Sequence, residues 1–254
     1  MTDPNQSPTP AGLMLIDKPE GPTSMDICRR VRRGFVAAGA PKRIKVGHGG
    51  TLDPLASGLV VVLVGKATKL CDQVMAGEKS YVAGVDLAHV SNTDDREGQK
   101  QPVTGAPPTS AEIEAALSEF TGEIMQRPPA FSAVWIDGER AYGLARKAED
   151  REEIERKILP RPVMIHDLRV VSYAWPILTL EIRCGKGTYI RSLARDLGTH
   201  LGTGGMLESL RRTRVEPFDI EGATHLDDVP GRLTQDDLMP PPSPDPPVGP
   251  ADPP

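Results

Sequence analysis

No stretch restricts this chain more than residues 46–69, VGHGGTLDPLASGLVVVLVGKATK, where a glycine-rich turn with one carboxylate runs into an unbroken apolar segment. Residues 59–64 are short, rich in β-branched side chains and closed by Gly65, the pattern of a strand covered on both faces. Asp53 therefore stands at the entrance to a core strand, on a turn constrained by Gly49, Gly50 and Pro54. An aspartate before proline commonly caps a turn by accepting a backbone N–H. A carboxylate held against a buried strand is equally placed to do chemistry. The pattern by itself leaves both readings open.

The flanking sequence alternates single helices with runs of consecutive strands. A first strand is expected at 12–17, then a turn at 18–22 and a helix at 24–38, capped by Ser24, with Ile27, Val31 and Phe35 along one face. A short helix at 67–75, a strand at 81–87 and an acidic loop at 91–98 follow. Thr109 and Glu112 form a capping box that opens a helix to about residue 120. Strands are expected at 123–126 and 131–136, and a charged helix at 139–149. Two consecutive strands at 163–173 and 178–184 hinge at Trp175-Pro176, a helix spans 189–201, and 206–214 closes the pattern. This order predicts an α+β fold with a mixed, mostly antiparallel sheet rather than a doubly wound parallel one. Residues 1–11 and the Pro-rich tail 240–254 are expected to be disordered, leaving one domain at 12–220 and a short extension at 221–239.

The formal net charge of −5 argues against nucleic acid, but its distribution does not. Arg29, Arg30, Arg32, Arg33, Lys42, Arg43 and Lys45 crowd one segment, and Arg183, Lys186, Arg191, Arg195, Arg211, Arg212 and Arg214 another. They can form a phosphate-binding face or merely solvated surfaces. Several function classes fall away. Gly65-Lys66-Ala67-Thr68 and Gly185-Lys186-Gly187-Thr188 lack the upstream glycine and the Lys-Ser/Thr adjacency of a nucleotide cradle. The five histidines have no metal-site spacing, and no Gly-x-Ser-x-Gly elbow is present. No apolar run approaches a membrane span, and the N-terminus is no secretory signal. Three scattered cysteines fit a reducing cytoplasm.

Four separated motifs, DKPEGPTS, GHGGTLDPLASGLVVVLVGKATK, KSYVAGVDL and CGKGTYIRSLARDLGTHLG…LESLRRTRV, occur in one order. Together they resemble the TruB family of tRNA pseudouridine-55 synthases over residues 12–218. The resemblance implies a cytoplasmic, cofactor-free and metal-free enzyme, expected to be a monomer, that acts on the T arm of tRNA. It would turn the T-loop uridine into pseudouridine by cleaving the C1′–N1 bond, rotating the base and rejoining it through C5. Asp53 then matches the nucleophile, attacking C6 of the base or C1′ of the ribose. Arg191 matches the arginine paired with it, and Tyr81 the aromatic that stacks on the base and is a candidate for proton transfer at C5. Tyr189 and Leu210 match the uracil pocket, His48 the histidine that takes the flipped base's place, and Lys18 a lysine supporting the first strand. The arginines of 29–33, the basic residues of 42–45 and Arg211 to Arg214 become candidates for gripping T-arm phosphates.

The sequence departs from the family in three places. The small C-terminal RNA-binding domain common in bacterial members is expected to be missing. Gly49-Gly50-Thr51 replaces a more usual arrangement, and the loop 88–98 departs from the family pattern. The competing readings are a tRNA-binding or tRNA-folding protein with secondary or lost catalysis, and a synthase for another T-loop-like hairpin.

Overall fold

The chain is described as a computed structural model over residues 9–147 and 151–241. The expected disorder of the N-terminal segment and the Pro-rich tail falls largely at 1–8 and 242–254, outside the described residues, as does the end of the charged helix at 148–150. In chain order, β1 (Gly12–Lys18) leads to α1 (Ser24–Ala37), and β2 (Val46–His48) and β3 (Ser57–Val64) flank the glycine turn. A 3-10 turn at Gly65–Leu70 runs into α2 (Cys71–Ala76) and β4 (Lys79–Asp86). A small hairpin, β5 (His89–Ser91) and β6 (Lys100–Pro102), precedes α3 (Ser110–Glu119) and β7 (Gly122–Gln126). A satellite lobe holds β8 (Trp135–Ile136), β9 (Glu139–Arg140), α4 (Ala141–Lys147) and α5 (Arg151–Lys157). The chain then forms the hairpin β10 (Arg161–Ala174) and β11 (Ile177–Cys184), followed by α6 (Ile190–His200) and β12 (Met206–Val215). Two short strands, β13 (Phe218–Asp219) and β14 (Thr224–His225), complete it.

One sheet carries the architecture, in the order β14-β1-β3-β12-β4-β11-β10-β7, with β2 added on β3 and β13 on β12. Among the described strands of this sheet only the β1–β14 and β3–β12 pairings are parallel. The fold is the expected α+β, mixed and mostly antiparallel. Val60, Val62 and Val64 of β3 face the main core, which α1, α3 and α6 cover. Leu59, Val61 and Leu63 face a second cluster, under the 3-10 turn and α2. Burial on both faces is why this strand reads as an unbroken apolar run.

Four local expectations change. Thr23, not Ser24, caps α1: its hydroxyl accepts from Asp26 N while the Asp26 carboxylate accepts from Thr23 N. Ser24 is buried instead, accepting from Leu52 N at 2.8 Å and donating to Leu52 O at 3.1 Å. The strand expected at 131–136 shrinks to Trp135–Ile136, because the backbone before it binds side chains. Ser192 Oγ and Arg195 Nη2 donate to Arg127 O, and Arg191 Nη2 to Phe131 O. The expected charged helix starts late, at Ala141, because Glu139 and Arg140 pair with β8. The helix expected at 67–75 is a 3-10 turn followed by six α-helical residues.

Residues 221–239 are built into the fold. β14 lies parallel to β1, Leu226, Val229, Leu233 and Leu238 join the main core, and Met239 exchanges two backbone hydrogen bonds with Leu13. Ala11 is fixed nearby, donating to Gln235 Oε1 at 2.9 Å and accepting from Gln235 Nε2 at 3.2 Å.

Because Ser24 satisfies both polar groups of the buried Leu52 backbone, Ser24→Ala should cost about 1–3 kcal/mol of unfolding free energy in urea titrations. Thr23→Ala, which removes an exposed cap, should cost about 1 kcal/mol. A smaller loss for Ser24→Ala than for Thr23→Ala would contradict this assignment.

Candidate active site

The turn 49–54 leaves little freedom to the backbone around Asp53. Gly50 adopts φ +126°, a conformation that side chains strain against. Gly49 N donates to Val61 O, Ala56 N to Asp53 O, and Gly21 N to Pro54 O. Leu52 is held by Ser24, as above. Arg212, 1% exposed, reaches in from β12, donating from Nε to Leu59 O at 2.7 Å and from Nη1 and Nη2 to Thr51 O and Gly50 O at 3.2 Å each. Lys18, fully buried at the end of β1, donates from Nζ to Pro19 O at 2.9 Å and Pro54 O at 3.3 Å. The carboxylate itself keeps 33% of its side-chain surface open. A fixed backbone thus presents an accessible carboxylate.

Arg191, in the first turn of α6, faces that carboxylate across the cleft floor. Its Nε lies 2.9 Å from Asp53 Oδ2 and 3.6 Å from Asp95 Oδ2, with only 7% of its side chain exposed. Nη1 donates to Thr93 O at 3.4 Å and Nη2 to Phe131 O at 3.1 Å. These contacts orient the planar guanidinium so that one edge addresses Asp53. Asp95 is itself fixed, accepting from Thr93 Oγ1 and Glu97 N. Burial raises its pKa, against the Thr93 hydrogen bond and the Arg191 charge. One helical turn along α6, Arg195 Nη1 pairs with Asp94 at 2.9 Å, so the neighbouring acids of one loop engage two arginines of one helix.

Asp53, Tyr81, Tyr189, Arg191 and Leu210 line a single cleft of about 770 Å³. Tyr81 sits on β4, in register with Arg212 of β12 and Ile182 of β11. Burial pushes its phenol up to about 12, while the Arg212 charge opposes the shift. Tyr189 caps α6 and is anchored through its backbone, N donating to Gln126 Oε1 at 2.8 Å and O accepting from Gln126 Nε2 at 3.1 Å. The Arg161 guanidinium lies 5.4 Å from the centre of its ring. Leu210, buried on β12, supplies apolar wall. An aromatic face, an apolar wall and an accessible carboxylate suit a planar base removed from its stack.

Lys18 and His48 are not among the lining residues. Lys18 lies behind the turn, where burial lowers its pKa to about 8 against the opposing pull of the Asp53 and Glu20 charges. His48 is half-buried on β2 opposite Val62, its Nδ1 enclosed without a hydrogen-bond partner, and burial lowers its pKa. Sequence reasoning missed Asp95, which it left inside an acidic loop. It also grouped Arg212 with arginines free to grip phosphate, which the burial of Arg212 contradicts. Strand alternation from Leu210 places residue 212 on the same face as that buried leucine, and this was the available signal. Its neighbours Arg211 and Arg214 are surface residues, paired with Asp17 at 2.8 Å and Asp219 at 3.2 Å. Among the described residues no helix is long and apolar enough to cross a membrane.

The chain is similar to known proteins in both sequence and fold. A family model described as TruB family pseudouridylate synthase (N terminal domain) matches residues 38–190. A second, described as tRNA pseudouridylate synthase B C-terminal domain, matches residues 191–238, which span α6, β12 and the strands after it. The chain is 42% identical over 233 residues to the tRNA pseudouridine synthase B of Corynebacterium diphtheriae, covering 88% of this chain and 73% of that one. It is 38% identical to that of Opitutus terrae, covering 86% of each. Among solved structures, a Cbf5-Nop10-Gar1 complex gives a TM-score of 0.62 at 29% identity, covering 90% of this chain and 59% of the other. An H/ACA RNP bound to a substrate RNA containing 2′-deoxyuridine gives 0.60 at 26%, covering 90% and 60%.

The buried lysines give the fold a pH signature. Lys18 and Lys79 are both lowered from 10.5 to about 8 by burial, so above pH 8 the unfolded chain binds more protons and stability rises with pH. Tyr81, raised from 10 to about 12, acts in the opposite sense above pH 10. Cys28 and Cys184, raised by burial from 9 to about 11, oppose the lysines above pH 9, so urea unfolding should show stability increasing between pH 8 and 9, and Lys18→Met should flatten that rise. An unchanged slope in Lys18→Met would remove Lys18 from this account.

Proposed function

The chain belongs to the TruB family of pseudouridylate synthases, and from that premise we propose that its Asp53 cleft isomerises the T-loop uridine of tRNA, uridine-55, with Asp53 as nucleophile. The enzyme is an isomerase acting on tRNA. The observation that carries the finer reading is the 2.9 Å pair between Arg191 Nε and Asp53 Oδ2 at the floor of a cleft walled by Tyr81, Tyr189 and Leu210. Arg191 aims one carboxylate oxygen, and a carboxylate can add to an electrophilic carbon of the nucleoside and leave again. The C1′–N1 bond breaks, the base turns within the cleft, and a C1′–C5 bond forms. The proton lost from C5 balances the one gained at N1, so the reaction consumes no co-reactant. Tyr81 stacks on the extruded base and handles the C5 proton, Tyr189 and Leu210 enclose its edges, and Lys18 steadies the turn from behind. Asp95 acts as a positioning residue, its carboxylate 3.6 Å from the same Arg191 Nε that faces Asp53.

His48 stands outside the cleft, on the strand that leads into the turn, a place from which it fills the gap left in the T loop by the flipped base. Arg29 and Arg33, exposed on α1, supply charge for the T-arm backbone. The protein works as a monomer.

The test is incubation of the full chain with unmodified tRNA, without added metal or nucleotide, followed by chemical mapping of pseudouridine. Wild type should modify the T-loop uridine. Asp53→Asn should bind the same tRNA and lose at least about 10³-fold in rate, roughly 4 kcal/mol of transition-state stabilisation. Product elsewhere in the tRNA would overturn the site assignment. Activity retained in Asp53→Asn would overturn the nucleophile, and binding without product in wild type would favour a tRNA-folding role.

A further inference from the structure

Arg212 is the largest fully buried side chain of the described residues, and it forms no ion pair with any described carboxylate. A buried charge without a counter-charge is costly and persists where its hydrogen bonds are filled. Three of the five guanidinium N–H donors go to carbonyls: Leu59 O at the start of β3, and Thr51 O and Gly50 O in the turn that carries Asp53. The remaining donors belong to Nη1 and Nη2, on a residue that lines the cleft. Across the β12–β4 pairing, the residue in register with Arg212 is Tyr81.

The backbone at Arg212 is closely packed against β3. A Cβ on Gly58 would come within 2.2 Å of Arg212 O and 2.7 Å of Arg212 N, so β3 and β12 approach each other closely only because position 58 is glycine, at φ +109°. The backbone that carries the head group is thereby fixed against β3, with Nη1 and Nη2 bonded to the Asp53 turn and Tyr81 in register on the neighbouring strand.

We propose that Arg212 is a positioning residue for the reaction, whose planar fork registers the Tyr81 phenol against the Asp53 turn through a single rigid group. Its carbonyl contacts set the height of the turn. Its free N–H edge holds the phenol oxygen, and its charge is the counter-charge to negative character developing there. The influence of Arg212 on the phenol, opposing the effect of burial, agrees with this placement. A lysine cannot substitute, because an ammonium is a point donor and cannot address Gly50, Thr51, Leu59 and Tyr81 in fixed directions at once. The proposal rests on the Asp53 reading above and adds to it a second arginine, which acts through Tyr81 as Arg191 acts through Asp53.

The experiment measures single-turnover pseudouridine formation on unmodified tRNA by wild type, Arg212→Lys, Tyr81→Phe and the double variant, with tRNA affinity measured separately. Arg212→Lys should lower the rate at least about 30-fold while tRNA affinity stays within about threefold. In the Tyr81→Phe background the same substitution should cost at least about tenfold less than it does in wild type, because the phenol it serves is gone and only its hold on the turn remains. Equal losses in both backgrounds, or a loss confined to affinity, would overturn the proposal. If Arg212→Lys fails to fold, or Tyr81→Phe is too slow to measure, the decisive measurement is NMR of the wild-type chain and of Tyr81→Phe, each labelled with ¹⁵N-arginine. The Arg212 Nη signals should shift when the phenol is removed, and unshifted signals would overturn the proposal. This arm needs no turnover, so a wild type that makes no pseudouridine would overturn the Asp53 reading while leaving the Arg212–Tyr81 contact to be decided by the spectra.

Discussion

The insertion of β12 between β3 and β4 is the constraint on which the rest of the structure depends. This strand comes from residues 206–215, yet it lies in the middle of the sheet, parallel to β3 and antiparallel to β4. Asp53 belongs to the turn before β3, Tyr81 to β4, and Leu210 and Arg212 to β12 itself. Until β12 is in place, the two halves of the cleft have no shared floor. Such a site is assembled from contacts of long sequence separation, whose loop-closure cost must be met before packing rewards it. Its geometry is therefore inseparable from completion of the main sheet, and this also explains how a family model for a C-terminal domain can match elements that lie at the sheet's centre.

Around that floor, the site uses arginine in two ways. Arg191 is held by carbonyls and two carboxylates and turns one edge toward solvent-accessible Asp53. Arg212 donates to three carbonyls and remains buried. Both rely on the planar fork, which fixes direction as well as charge. The flanking loop is tied in by the same chemistry. Asp94 and Asp95 engage Arg195 and Arg191, and the loop backbone bonds to Leu207 at the start of β12. The loop, helix and central strand are thus bound to one another at the edge of the cleft.

Much of this was legible in the sequence where one local cause dominates. The glycines and proline around Asp53 announce a constrained turn, the apolar run after it announces a strand covered twice, and Thr109 with Glu112 announces a helix start that the structure contains. Local causes also mislead when two candidates adjoin. Ser24 and Thr23 are both good caps, and only the distant Leu52 backbone decides which is free to act as one. The strand expected at 131–136 had suitable side chains, but its neighbouring carbonyls are taken by Ser192, Arg191 and Arg195, more than 55 residues away in the chain. Asp95 and Arg212 were missed for the same reason: their partners are set by the fold, and charge patterning treats every acid or arginine in a run alike. The cleft residues Tyr81, Tyr189 and Leu210 were found through resemblance, since nothing in their own spacing distinguishes them from core.

The close of the chain onto its beginning has a consequence of another kind. β14 lies against β1, Met239 bonds to Leu13 in both directions, and the side chain of Gln235 spans both polar groups of Ala11. The outermost long strand is therefore not left as an open row of donors and acceptors, which would invite pairing with another molecule. It also means that residues 11 and 239 are spatial neighbours although 228 positions apart along the chain. The order in which the segments are joined is to that extent separable from the shape they make. A chain rejoined at this seam and opened at an exposed turn, such as Asp137-Gly138, would ask the same strands to find the same neighbours by a different route.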